Sequence, residues 1–185
     1  MPARIVITGG PGSGKTESLN RLQVLPRFRN FAFLNELARE LLEQNPDLRC
    51  HTNAFHAEIY RRQTAREKEL GSQSFIADRG TVDAFAFHPE TLSIVDTTIE
   101  AEYRRYDSVI QLGSAAALGT MYYAVDDIRT EPIQRALEIE RAIKQVWQAH
   151  PDFHFIPADP DFESKFRRLV KTLDGCVERC APATE

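Results

Sequence analysis

The stretch TGGPGSGKTES, Thr8 to Ser18, constrains this chain more than any other. Gly9, Gly14, Lys15 and Thr16 complete the pattern GxxxxGK[ST]; the apolar run Arg4 to Thr8 before it reads as a strand, and Lys15 onward as the start of a helix. Glycines at 9, 10, 12 and 14 let the backbone turn with its amides inward, so that successive N–H groups and a helix N-terminus meet an anionic phosphate. Lys15 adds a mobile charge for the β and γ phosphates, and Thr16 offers a hydroxyl to Mg2+. The binding set read from this stretch is Gly9, Gly10, Pro11, Gly12, Ser13, Gly14, Lys15, Thr16 and Glu17.

Short apolar runs alternate with amphipathic stretches along the rest of the chain, the βα rhythm that builds a parallel sheet covered by helices on both faces. Strands are expected at Arg4 to Thr8, Phe31 to Leu34, Ser74 to Asp78, Ser108 to Leu112 and Phe153 to Ile156. The fold class is therefore α/β: a P-loop NTPase with a five-stranded parallel sheet, of the nucleoside- and nucleotide-kinase type. Helical period joins Val95, Ile99, Tyr103 and Tyr106 on one face, Ile133, Leu137, Ile143 and Trp147 on another, and Phe162, Phe166, Leu169, Leu173, Cys176, Val177 and Cys180 on a third. Asn35 reads as the N-cap of a helix that starts at Glu36 and ends at Asn45-Pro46. A single domain over residues 1–180 with a flexible tail at 181–185 is the expected organisation.

With a net charge of −4 and 27% charged residues, no global field draws the protein to nucleic acid. No window is apolar enough to span a bilayer, and no signal peptide opens the chain, so a soluble, cytoplasmic protein is expected. The three cysteines form no CxxC pair and the five histidines show no zinc-ligand spacing, so no structural metal is expected; Cys176 and Cys180 read as core.

Phosphate binding leaves open where the phosphate goes. No N/T-K-x-D tetrapeptide occurs to read guanine, and Asp78-Arg79-Gly80-Thr81 does not fit the DxxG switch; a transporter-type LSGGQ signature is also missing. A small kinase needs a metal-holding acid, a proton acceptor and an arginine over the migrating phosphoryl group. Asp78, at the end of a strand, suits the first role, or pairs structurally with Arg79. Glu36, at the exit of the second strand, suits the second, or merely complements a helix dipole, with Arg39 one turn on. Arg129, after the long loop Gly113 to Asp127, suits a lid arginine, or is a solvated surface residue. Arg61 and Arg62 lie on a helix where small kinases close over the acceptor, although a solvated face explains them as well. Pro157-Ala158-Asp159-Pro160 follows the fifth strand, where adenine contacts backbone.

Together Ile5 to Thr16, Leu34-Asn35-Glu36-Leu37-Ala38-Arg39, Ile76-Ala77-Asp78-Arg79-Gly80, Ile128-Arg129-Thr130-Glu131 and Ile156-Pro157-Ala158 resemble the NadR-like P-loop domains, a family of AAA-domain ATPases and kinases of NAD metabolism. The resemblance implies an ATP-binding, nucleoside-kinase-type fold, with ribosylnicotinamide kinase activity in the bacterial regulator that names the family. It also implies relatives that bind nucleotide without an established acceptor, including animal members linked to GTP and phosphoinositides. Its acidic position before the helix falls on Glu36, its strand-three acid on Asp78 and its lid arginine on Arg129. The regulator's nucleotidyltransferase and DNA-binding domains have no counterpart in these 185 residues, so its acceptor is not inherited. The leading expectation is a kinase that uses Mg·ATP and a nucleoside-like acceptor, with Lys15, Glu36, Asp78 and Arg129 as its catalytic set and Thr16 and Asp78 holding the metal. The alternative is a regulatory ATPase or GTPase module with no small-molecule acceptor.

Overall fold

In the computed structural model, which describes residues 1–123 and 132–181, every strand pairing is parallel and the five strands lie in the order β2-β3-β1-β4-β5. The strands are β1 (Arg4–Gly9), β2 (Ala32–Leu34), β3 (Phe75–Asp78), β4 (Ser108–Leu112) and β5 (Phe153–Ile156). The helices are α1 (Lys15–Gln23), α2 (Leu37–Gln44), α3 (Thr52–Glu69), α4 (Asp83–Phe87), α5 (Thr91–Ile94), α6 (Ile99–Tyr103), α7 (Ile133–Trp147) and α8 (Phe162–Cys180). Among the described residues no helix is long and apolar enough to cross a membrane.

Successive side chains of a strand point to opposite faces, and β1, buried on both, divides the core in two. Ile5 and Ile7 join Leu19 and Leu22 of α1 and Leu169, Leu173 and Cys176 of α8 in one cluster. Val6 faces the other way, into a cluster with Ala77, Phe85 of α4, and Ile143 and Trp147 of α7. Ile143 and Trp147 of the stripe expected on α7, and the stripe expected on α8 from Phe166 onward, thus close the sheet from opposite sides, while Ile133 and Leu137 pack on Ala116 and Tyr123. Cys176 is a buried core thiol and Cys180 is partly buried; both are free.

Local chemistry sets the boundaries that differ from expectation. The Phe31 amide still donates to Phe28 O at 2.9 Å, closing a turn, and only at Ala32, whose amide donates to Ser74 O, does the ladder begin. Asn35 does not cap α2. Glu36 is the residue before its first turn, with no side-chain cap bond, because its carboxylate is engaged by cations of the site. The single helix implied by Val95, Ile99, Tyr103 and Tyr106 is broken: Asp96 sits at φ 53, left-handed backbone that interrupts a helix. Thr98 then caps the short α6 through the Ala101 amide. All four apolar residues still converge on one cluster, around Trp147. The part of the Gly113 to Asp127 loop that is described contains a 3-10 turn at Ala115–Leu118 and buries Tyr123.

Leu169 is fully buried between α8 and the sheet. Leu169→Ala is expected to destabilise the protein by about 2–5 kcal/mol, since the lost transfer energy is compounded by a cavity. Urea unfolding followed by circular dichroism measures this; a loss below about 1 kcal/mol would show that α8 does not close the core.

Candidate functional site

The glycine-rich loop runs from the end of β1 to the start of α1, and its shape follows from two left-handed residues, Gly12 at φ 71 and Gly14 at φ 75. A Cβ on Gly12 would lie 2.6 Å from the Tyr123 ring, so both conformation and space exclude a side chain. Four of the loop's carbonyls take donors from outside it. Pro11 O accepts from Ser114 Oγ at 2.5 Å, Gly12 O from the Ala115 amide at 3.0 Å, Ser13 O from Lys165 Nζ at 2.7 Å and Gly14 O from the Ser18 amide at 3.0 Å. The Ser13 amide donates to Gly10 O at 3.2 Å, and the loop's other amides with the helix N-terminus supply the donor set that anions take.

Lys165 reaches this loop from α8 and donates to Gly113 O at 2.5 Å as well. One ammonium thus ties the loop to the exit of β4. Burial pushes its pKa down to about 8. A buried lysine is expensive to desolvate; here two carbonyls accept its hydrogen bonds, and the nearby Glu140 and Asp159 carboxylates favour its charge.

Because β3 lies directly beside β1, with Ile7 opposite Asp78, the end of β3 meets the beginning of the loop. Lys15, buried at 6% exposure, ion-pairs with Asp78 and lies 3.9 Å from Glu36 Oε2. Burial pushes the Asp78 carboxyl above its ordinary range, and the Lys15 ammonium pulls it back. Arg79 is the next residue, a non-glycine at φ 72. Its Nε donates to Glu36 Oε1 at 2.9 Å, and its guanidinium lies 5.2 Å from the centre of the Phe87 ring. Burial opposes the charge of Arg79, but Glu36 and Asp83 more than offset it and raise its pKa.

Of the expected site residues, the fold therefore brings together Lys15, Glu36 and Asp78 at the glycine-rich loop. Thr16 and Glu17 are exposed on the first turn of α1, and Glu17 pairs with Arg21 at 2.8 Å. Arg129 lies outside the described residues. Arg62 pairs with Glu58 at 2.9 Å and donates to Gln44, and Arg61 is exposed, the solvated reading of that pair.

A cavity of about 290 Å³ opens beside these carboxylates. Pro11 of the loop, Glu36, Asp78 and Arg79 form its polar end; Phe55, Ile59 and Phe87 belong to its apolar wall. His56 also lines it, and the buried Nδ1 of that ring has no hydrogen-bond partner among the described residues. Burial pushes the His56 pKa down, so the ring is neutral.

Asp83 was missed by sequence reasoning and organises the site. It is 2% exposed and accepts from Thr8 Oγ1, from the Gly80 amide at 2.9 Å, from Trp147 Nε1 at 3.1 Å and from Arg79 at 3.4 Å. These bonds fix β1, the turn after β3 and α7 to one carboxylate. The only signal in the sequence is an acid five residues after Asp78, a spacing that carries no meaning until the chain turns back at Gly80. Asp83→Ala should cost about 3–5 kcal/mol, because it orphans buried donors and one face of Arg79, and Asp83→Asn should cost less. Thermal and urea unfolding test this; if both variants stay within about 1 kcal/mol of the parent, Asp83 is not the hub.

Residues 4–165 match the family model described as an AAA domain. No curated protein matches the chain. The match takes in the glycine-rich loop, the Lys15–Asp78 pair, the cavity and all five parallel strands, so the sequence model and the geometry describe one unit. The chain belongs to the AAA domain family of P-loop, nucleotide-binding proteins.

Proposed function

We propose that the protein is an ATP-dependent small-molecule kinase that transfers the γ-phosphoryl group to a hydroxyl of a nucleoside-like acceptor. The cavity beside the glycine-rich loop carries this reading: it is large enough for a small molecule and apolar along most of its wall, and its polar end is Glu36, Asp78 and Arg79. In this reading ATP lies along the loop and Lys15 exchanges its carboxylate partners for the β and γ phosphates. The oxygen donors Thr16, exposed on α1, and Asp78, at the end of β3, fit a hard cation such as Mg2+. That ion would neutralise charge on the phosphates as it moves during transfer.

Glu36 takes the proton of the acceptor hydroxyl as its oxygen bonds to the γ-phosphorus and the bond to ADP breaks. Arg79 aims the Glu36 carboxylate through a 2.9 Å ion pair. Arg129 closes over the transferring group. His56 offers its neutral Nδ1 to a polar atom of the acceptor. Lys165 holds the loop in shape without touching phosphate.

A second reading, a regulatory NTPase module, is favoured by one contact: Tyr123, 2% exposed, packs on Gly12, so the segment after β4 registers the loop's conformation. Incubation with Mg·ATP and a panel of nucleosides including nicotinamide riboside, followed by mass spectrometry, separates the two. Acceptor-dependent ADP release with a matching phosphorylated product is expected. Slow ADP release indifferent to every acceptor would overturn the kinase reading in favour of the module.

Glu36→Gln should lower the turnover of transfer about 10²–10⁴-fold while ATP affinity stays within a few-fold. Unchanged turnover would remove Glu36 from the mechanism. Lys15→Ala should weaken nucleotide binding or turnover in either reading, and a fully active variant would overturn both.

A further inference from the structure

The spacing of cysteine and histidine in the sequence gives no reason to expect a metal, yet the fold assembles a carboxylate, an imidazole and a thiol from separate elements. Asp152 immediately precedes β5, His154 lies on it, and Cys176 lies on α8. One ligand atom of each, a carboxylate oxygen, an imidazole nitrogen and the thiol sulfur, falls within 4.8 Å of the other two. His154 Nε2 is 3.1 Å from Asp152 Oδ1. Asp152 is oriented from behind, because Ser108 Oγ of β4 donates to its Oδ2 at 2.5 Å. The cluster stands at the N-terminal end of β5, the opposite end of the sheet from the glycine-rich loop, and takes no part in the chemistry proposed there.

A cation already sits among these atoms. Nη2 of Arg179 is 3.0 and 2.8 Å from the two oxygens of Asp152, 3.1 Å from His154 Nε2 and 3.4 Å from Cys176 Sγ. One nitrogen thus marks a point that a carboxylate, an imidazole and a thiol all face. Arg179 reaches it from the last turn of α8 with a side chain 52% exposed, which can swing into water without disturbing the core. The three ligands are better held. Cys176 is fully buried, and Asp152 and His154 flank the first residue of a paired strand.

We propose that Asp152, His154 and Cys176 form a binding site for a divalent transition metal, zinc by the chemistry of the donor set, for which the Arg179 guanidinium competes. Zinc takes Cys, His and carboxylate ligands at about 2.0–2.3 Å in tetrahedral geometry. Donor atoms already within 4.8 Å of each other need to close by about an ångström to meet it. Magnesium and calcium, which demand oxygen ligands, are excluded by the thiol and the imidazole. Coordination displaces the thiol proton to solvent and leaves water in the fourth position. The metal ties the end of α8 to β5, in place of the polar contacts that Arg179 makes there.

The test is a Co2+ titration of the reduced, nucleotide-free full chain, read by thiolate-to-cobalt charge-transfer absorption, in the parent and in Arg179→Gln. Both should bind one equivalent, Arg179→Gln at least about tenfold more tightly because no guanidinium must be displaced, and Zn2+ should abolish the band by competition. Cys176→Ser should remove the band and His154→Asn weaken binding at least about tenfold, while Cys180→Ser keeps both. In the parent, Zn2+ should also raise the melting temperature, and it should not do so in His154→Asn. The proposal is overturned if natively folded parent and Arg179→Gln give no band, if the band survives Cys176→Ser, or if Arg179→Gln alone binds.

Discussion

The ion pair between Lys15 and Asp78 is the constraint on which the rest of the site depends. It exists because β1 and β3 are neighbours in a parallel sheet, so Lys15 and Asp78, distant in sequence, come to the same level. A buried pair of this kind contributes little net stability, since desolvation of both ions offsets their attraction. Its value lies in position. In the proposed function the lysine and the carboxylate are held where a phosphate and its counter-ion would compete for them, and the surroundings complete the arrangement. Glu36 approaches the same ammonium from the end of β2, and Arg79 holds Glu36 in turn.

Around that pair, rigidity comes from two buried charged groups whose hydrogen bonds go to the protein itself. Asp83 gathers a hydroxyl, an amide, an indole and a guanidinium. Lys165 gathers two carbonyls on the other side of the loop. The end of β1 that leads into the loop is thus held by α4 and α7 through Asp83 and Trp147, and the loop itself by α8 through Lys165. A site held this way meets its ligand with little left to order, which is how preorganised electrostatics act most strongly. The strained backbone of Arg79 belongs to the same design, because its left-handed turn sends the guanidinium back toward Glu36 and frees the chain to reach Asp83.

Much of this was legible in advance for definable reasons. The glycine-rich loop is a local device whose chemistry is written in contiguous residues, and β4 and β5 are short apolar runs whose ends coincide with turn residues. Glu36 and Asp78 could be chosen as candidates because both are acids at expected strand exits near such a loop, although a helix dipole and a pair with Arg79 explain them as well. What sequence pattern missed depended on competition between partners. Asn35 is a good capping residue, but Glu36, drawn to Lys15 and Arg79, fixes where α2 begins. The stripe from Val95 to Tyr106 kept its apolar face and lost its helix, because burial against Trp147 needs only that the side chains converge, and Asp96 turns the backbone between them.

By itself, then, the sequence determined the phosphate cradle, the alternation of strands and helices, and the stripes that close the core, since each rests on contacts or periodicities spanning a few residues. Tertiary structure alone decided the strand order, the convergence of Asp83 with Thr8 and Trp147, the clamp of Lys165 on the loop, and the meeting of Asp152, His154 and Cys176 around Arg179. Those depend on crossovers that bring distant segments to the same end of a sheet. Spacing along a chain carries no information about which ends will meet until the sheet's order is set.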